Sequence, residues 1–275
     1  TPIASPSFFA LSSGRSRRLL SMAKNKEKQP QFDAQNELEV KPVVVWLFGK
    51  GGVGKTMTAQ VVRIALQQLG HKVEALDADA SNSSFKRQVP DAVLLGGADA
   101  SEIVESIEHE LVERTLKVGF SMVIDTGNGT DSLSRNWFAS EGMDKILLEH
   151  GVKVFAVTVV DSSLDSASHL LETVDSLSHA KHIVVKNLGH TPGAIGEKAF
   201  IPLFENEEFK RYAMSTQIIE MPRLVDAVSL DAIGARLHNI ADDELSVELN
   251  PFVTARTKSW LINVVGQFHN ALTDA

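Results

Sequence analysis

Val43-Val44-Val45-Trp46-Leu47-Phe48-Gly49-Lys50-Gly51-Gly52-Val53-Gly54-Lys55-Thr56 is an apolar run that gives way at once to a glycine-rich loop ending in Lys-Thr. An unbroken stretch of β-branched, aliphatic and aromatic residues reads as a strand buried on both faces. From Thr56 to Leu69 apolar residues recur at spacings of three and four, so a helix is expected to follow. Gly49 and Gly54 stand with four residues between them and are followed by Lys55 and Thr56, which is the phosphate-binding loop pattern. The spacing has a physical cause. Glycines admit backbone dihedrals that aim successive N–H groups inward, so the loop wraps an anion at the positive end of the following helix. Lys55 is then in reach of the β- and γ-phosphates, and the Thr56 hydroxyl is placed to coordinate Mg²⁺. A plain glycine turn would link strand to helix as well, but the context on both sides favours phosphate.

Outward from this loop the chain keeps alternating short apolar runs with helical patterns, the mark of a mostly parallel sheet with crossover helices. The expected strands are Val43–Phe48, Lys72–Leu76, Ala92–Leu95, Met122–Asp125, Val152–Val160, His182–Lys186 and Gln217–Glu220. The expected helices are Thr56–Leu69, Ser101–Leu116, Leu164–Leu177 and Ser259–Leu272. The fold class is therefore α/β, a doubly wound sheet of about seven strands with helices on both faces.

Length and composition agree. With 275 residues, 43% of them hydrophobic and 23% charged, one globular domain over 41–275 is the expectation. No apolar run approaches the roughly 18 residues of a membrane-spanning helix, so no integral span is expected and the cytoplasm is the expected compartment. A formal charge of −8 leaves any nucleic-acid contact to a local patch. Residues 1–40 are different in character: Arg15, Arg17, Arg18, Lys24 and Lys26 all precede the first acidic residue, Glu27. A disordered basic tail is expected there. Three origins stay open for it: a true start at Met22, a targeting peptide, or a basic arm for anionic polymers.

The loop holds one lysine that the general pattern does not require, Lys50. The form Lys-Gly-Gly-Val-Gly-Lys-Thr resembles the deviant phosphate-binding loop of the MinD/ParA family of ATPases. The resemblance implies ATP and Mg²⁺ as ligands and a homodimer in the ATP state. It also gives Lys50 a role across the dimer interface, on nucleotide bound by the other subunit. Carried over, it makes Lys50, Lys55 and Asp79 the catalytic residues and Gly49, Gly51, Gly52, Val53, Gly54, Lys55, Thr56 and Met57 the nucleotide cradle. Asp79 closes Leu76-Asp77-Ala78-Asp79 and resembles the water-orienting residue of the first switch. Alternation along an extended strand puts Asp77 and Asp79 on one face, both aimed at the metal and γ-phosphate. Phe120 to Asp125 resembles a Walker B strand, so Thr56, Asp79 and Asp125 form the expected metal set. Thr126-Gly127-Asn128-Gly129 departs from the family's usual proline-rich second switch.

Two further segments fit by position. Val157 to Leu170 resembles the strand and helix whose Ser-Leu pair, here Ser163-Leu164, caps the helix near the dimer face. Asn187 and Pro222 lie where the family holds adenine. The stretch Leu147 to Val154 resembles TraL-type conjugal-transfer relatives more than chromosomal ParA.

Absent residue types narrow the field. The chain has no cysteine, which removes thiolate metal sites, iron–sulfur clusters and cysteine nucleophiles. The single Tyr212 likewise argues against the tyrosine-kinase branch. Positioning or partitioning of a plasmid, protein or other cargo, assisted by an activating protein partner, is the leading expectation. Non-specific DNA binding is the ParA-like variant, with Lys210, Arg211, Arg223, Arg236, Arg256 and Lys258 as scattered candidates. The alternatives are an ATP-dependent ligase or kinase of the dethiobiotin-synthetase type, or a module that holds ATP without hydrolysing it.

Overall fold

The first strand, β1 (Val43–Phe48), is buried along its whole length because it lies in the middle of the sheet. The computed structural model describes residues 40–79, 82–97, 99–191, 196–244 and 249–273. The expected tail over 1–40 lies outside the described residues except for Val40, where the compact unit Val40–Ala275 begins.

After β1 the chain runs through α1 (Lys55–Gln68), β2 (Val73–Ala78), α2 (Ser84–Gln88), β3 (Val93–Leu94) and α3 (Ala100–Glu110). A π-helical turn, Leu111–Leu116, extends α3. Next come β4 (Ser121–Thr126), α4 (Asn128–Glu141), α5 (Met143–Glu149), β5 (Lys153–Val160), α6 (Asp165–Ser176) and β6 (Lys181–Asn187). The chain closes with α7 (Ile201–Glu205), α8 (Glu207–Ser215), β7 (Gln217–Met221), α9 (Ala227–Ala232), α10 (Leu237–Ala241) and α11 (Pro251–Thr273).

The seven strands form one sheet in the order β3-β2-β4-β1-β5-β6-β7, and every neighbouring pair is parallel. Each expected strand is present. β3 is shorter than expected, two residues at the sheet edge. Helix α11 is longer: it starts at Pro251 rather than Ser259. Pro is well suited to a first turn, where its missing N–H costs nothing.

Alternation along β1 divides the core. Val43, Val45 and Leu47 pack with α1 and α11, through residues such as Val62, Leu66, Val264 and Phe268. Val44, Trp46 and Phe48 face the other layer, with Ile107 of α3, Phe138 of α4 and Leu147 of α5. Trp46 meets the Phe138 ring edge-on at 4.8 Å between centroids. Farther along the sheet, Val160 and Val184 pack with Leu170 of α6 and Phe209 of α8.

The strand order places the site. β1 lies between β4 and β5, and the first crossover leads from β1 to β2, beyond β4. The carboxyl ends of β1, β2 and β4 therefore converge, with Leu47 in register with Asp125 and Asp77 in register with Asp125. A crevice at such a convergence is where open α/β sheets bind ligands.

Candidate functional site

A cleft of about 390 Å³ opens at these strand ends, lined by Gly51, Gly52, Gly54, Lys55, Thr56, Asp79, Asn82, Ser84, Asp125, Thr126 and Gly127. The loop at its floor is held in a tight arc. Gly49 has φ +134° and Gly54 φ +101°, and a Cβ at Gly49 would meet the Val159 carbonyl oxygen at 2.4 Å. Only glycine fits a backbone pressed that closely in that conformation. α1 starts directly after Gly54 and carries no acidic residue in its first turn, so its positive end is left for an anion.

Lys55 is buried and folds back on the loop, donating to the carbonyls of Gly49 at 2.6 Å and Lys50 at 3.2 Å. Burial lowers its ammonium below the usual lysine value, with Asp131, Asp125 and Asp79 opposing that shift. Thr56 Oγ1 donates to Asp125 Oδ2 at 2.6 Å and lies 2.8 Å from Ser84 Oγ. Asp125 is 2% exposed. Its Oδ1 has no hydrogen-bond partner among the described residues. Burial pushes the Asp125 carboxyl up to about 7, only partly offset by the Thr56 hydroxyl. An orphaned, dehydrated carboxylate oxygen beside two hydroxyls is a donor set that suits a small hard cation such as Mg²⁺.

Asp77 and Asp79 do not act as the pair that strand alternation suggests. Asp77 is fully buried; its Oδ1 accepts from the Asp79 amide at 3.0 Å and its Oδ2 from the Lys86 amide at 2.8 Å. β2 ends at Ala78, so Asp79 lies past the strand and the two-residue period no longer applies to it. Asp77 shapes the turn, and Asp79 alone lines the cleft. Gly127 backs Asp79: a Cβ there would meet the Asp79 Cγ at 2.7 Å.

Lys50 points away from the phosphate cradle. Its Nζ lies 2.8 Å from Asp161 Oδ2 and 2.7 Å from Ser163 Oγ. Burial alone would raise the Asp161 carboxyl, but hydrogen bonds from Lys50, Ser163 and Ser166 hold it well below the usual carboxylate range. The Ser163-Leu164 pair does not cap α6 through a side chain. Asp161 organises that turn instead, its Oδ1 accepting from the Ser163 amide, the Ser163 hydroxyl and the Ser166 hydroxyl. A carboxylate is acceptor-only with about four lone-pair sites, so it gathers more donors than a serine hydroxyl with its two.

Asn187 supports the loop from behind. Its Nδ2 donates to the Val53 carbonyl at 2.6 Å and its Oδ1 accepts from the Gly189 amide at 2.8 Å. A Cβ on Gly54 would meet Asn187 Nδ2 at 2.5 Å. The Pro222 carbonyl accepts from Trp260 Nε1 at 2.7 Å. Met57 lines a separate hollow with Gln60, Leu224 and Ala227. Asn187, Pro222 and Met57 are thus not among the residues that line the cleft.

Sequence reasoning missed Ser84 and Asp131. Asp131 is 3% exposed. Its Oδ2 accepts from the Gly49 amide at 3.1 Å and its Oδ1 from Arg135 at 2.6 Å. The i,i+4 spacing of Asp131 and Arg135 was the available signal, though on its own it describes an ordinary surface pair.

Residues 44–267 match the family model described as "CobQ/CobB/MinD/ParA nucleotide binding domain". An iron-sulfur cluster carrier protein of Aquifex aeolicus is 44% identical over 57 residues, 21% of this chain and 16% of the relative. A cytosolic Fe-S cluster assembly factor Nubp2 homolog of Drosophila ananassae is 46% identical over 61 residues, 22% of each chain. These matches span less than a quarter of the relatives' length. The solved MinD cell division protein of Aquifex aeolicus aligns over 83% of this chain and 97% of its own, at 16% identity and a TM-score of 0.48. Among the described residues no helix is long and apolar enough to cross a membrane.

Proposed function

We propose that this chain, which belongs to the CobQ/CobB/MinD/ParA nucleotide-binding family, binds Mg-ATP in the cleft and hydrolyses it slowly within an ATP-dependent homodimer. The observation that carries the reading is the contact of Thr56 Oγ1 with Asp125 Oδ2 at 2.6 Å, below a glycine loop whose lysine is folded into the same cradle. Loop amides and Lys55 bind the phosphates. Thr56 and Asp125 hold Mg²⁺, with Ser84 beside them. The metal, when bound, supplies charge neutralisation on the β- and γ-oxygens. Asp79, in the wall of the cleft, orients the attacking water, and Gly127 fixes where it stands. Lys50 leaves its seat on Asp161 and reaches the nucleotide of the second subunit.

In this reading the dimer is the output. Exchange between ATP-bound dimer and ADP-bound monomer, hastened by an activating protein partner, drives a cycle on a large cargo from a cytoplasmic pool. Plasmid partition and conjugal transfer are cargo readings of this kind. Iron–sulfur carriage, suggested by the names of two relatives, has no thiolate to work with in these 275 residues.

Sedimentation of an Asp79→Ala variant with and without Mg-ATP tests the proposal. Dimers formed only with Mg-ATP, and abolished by a further Lys50→Ala change, are the expected result. A persistent monomer at saturating nucleotide would overturn the dimer cycle. Phosphate release by the wild-type chain, measured alongside, separates hydrolysis from mere binding.

A further inference from the structure

Gly49, the first residue of the loop, is gripped from two directions. The end of β5 presses on its α-carbon, and its amide donates to Asp131 of α4 rather than turning into the cradle. Asp131 is a buried carboxylate, and such a group persists only with a partner. Arg135, itself 6% exposed, supplies the charge through one guanidinium nitrogen, while a second nitrogen reaches Glu172 of α6 at 2.8 Å. The charges of Lys55 in the loop and His169 in α6 favour the ionised form of the same carboxylate, against its burial. α6 is also the helix whose N-terminal turn seats Lys50. One guanidinium thus joins the back of the phosphate loop to the helix that bears the lysine seat.

We propose that Asp131, held by Arg135, is a positioning residue for the phosphate site: it sets the first loop amide and Lys55, and through Arg135 and Glu172 it ties them to α6. The inference rests on the reading of the cleft as a phosphate site. Its chemistry is geometric. An arginine fork spans two carboxylates at once, and a lysine, being a point charge, serves one of them.

Arg135→Lys and Glu172→Gln, singly and together, test the link, with Mg-ADP affinity by calorimetry as the readout and the thermal midpoint without nucleotide as the control for folding. Arg135→Lys keeps a cation on Asp131 and is expected to fold, yet to bind Mg-ADP about tenfold more weakly, because the fork is lost. Glu172→Gln alone is expected to give part of that loss. The double variant should be no weaker than Arg135→Lys, since both changes cut one connection. Unchanged Mg-ADP affinity in Arg135→Lys overturns the positioning role, and fully additive losses overturn the tie to α6. A wild-type chain that binds no Mg-ADP, or a Lys55→Ala variant that binds it as wild type does, would instead sink the phosphate reading beneath it. Asp131→Asn adds a spectroscopic check: the Gly49 amide proton resonance should move upfield on losing its carboxylate acceptor, and an unmoved resonance counts against the proposal.

Discussion

Lys50 and Asp161 are held 2.8 Å apart, nitrogen to oxygen, across 111 residues of sequence, and each is about a quarter exposed at its side chain. The lysine that marks the loop is therefore docked within its own chain, at the N-terminal turn of α6. Releasing it costs the pair plus the Ser163 contact. A partly exposed ion pair is worth about 1 kcal/mol or less. Asp161→Asn should accordingly raise the fraction of ATP-dependent dimer, by about two- to fivefold in the association constant. Sedimentation equilibrium across a range of protein concentration measures it, and an unchanged constant would mean the seat does not compete with dimerisation.

Lys55 is a buried cation that donates to two carbonyls of its own loop. Burying a charge is costly, and at Lys55 the cost of burial outweighs the pull of the nearby carboxylates, so the ammonium is lowered below its usual value. Lys55→Met is expected to melt at the wild-type temperature or higher without nucleotide. Its Mg-ATP affinity should fall by about a hundredfold or more, the loss of two charge-assisted contacts at about 1.5 kcal/mol each. Calorimetry on the two proteins distinguishes these effects. A variant that melts early but still binds would contradict the assignment.

Asp125 links stability to pH. Burial pushes its carboxyl up to about 7 in the fold, against about 3.9 in an unfolded chain. Between those values the folded state binds more protons than the unfolded state, so stability of the nucleotide-free protein falls as pH rises through that window. Asp77 and Asp131 are shifted upward too, burial again leading. Asp125→Asn should therefore flatten the slope of urea stability against pH without abolishing it. Equal slopes in the two proteins would refute the shift.

Gly127 has an ordinary backbone conformation, so alanine there meets no dihedral strain; the obstacle is the Asp79 side chain at 2.7 Å. Gly127→Ala is expected to push Asp79 from its place. Turnover at saturating Mg-ATP should drop at least about tenfold, the scale of a misplaced catalytic group. Mg-ADP affinity should stay within about threefold, a shift under 1 kcal/mol. Comparing phosphate release with binding decides the point, and full activity would remove Asp79 from the water-orienting role.

The sheet was legible at the level of elements because most of its strands carry a short apolar run, unbroken in β1, whose period differs from that of the helices. Its edges were less so. β3 pairs only at Leu76↔Val93 and Asp77↔Leu94, and a two-residue strand leaves little periodicity to read. The start of α11 was hidden because Phe252 and Val253 lie in a turn that packs only in part, and its apolar stripe begins in earnest at Trp260.

At the site, the residues local to the loop were readable from spacing alone. Gly49, Gly54, Lys55 and Thr56 act within one turn of chain, so sequence distance is close to spatial distance. Asp125 was visible as the polar end of a buried strand. By contrast, the role of Asp77 came out wrong, since alternation assumed that the strand continued through Asp79. Asp161 and Asn187 stood in segments noted for other reasons, but their contacts with Lys50 and Val53 bridge more than a hundred residues.

What the sequence determined by itself was a parallel α/β sheet with a phosphate loop and an extra lysine, because periodicity and glycine spacing act over a few residues. What only the tertiary structure decided was the company those residues keep. Asp161 holds Lys50, and Asp131, through the Gly49 amide, holds the loop. Those partners come from distant strands and helices, and the sheet order that joins them is set by how the whole core packs.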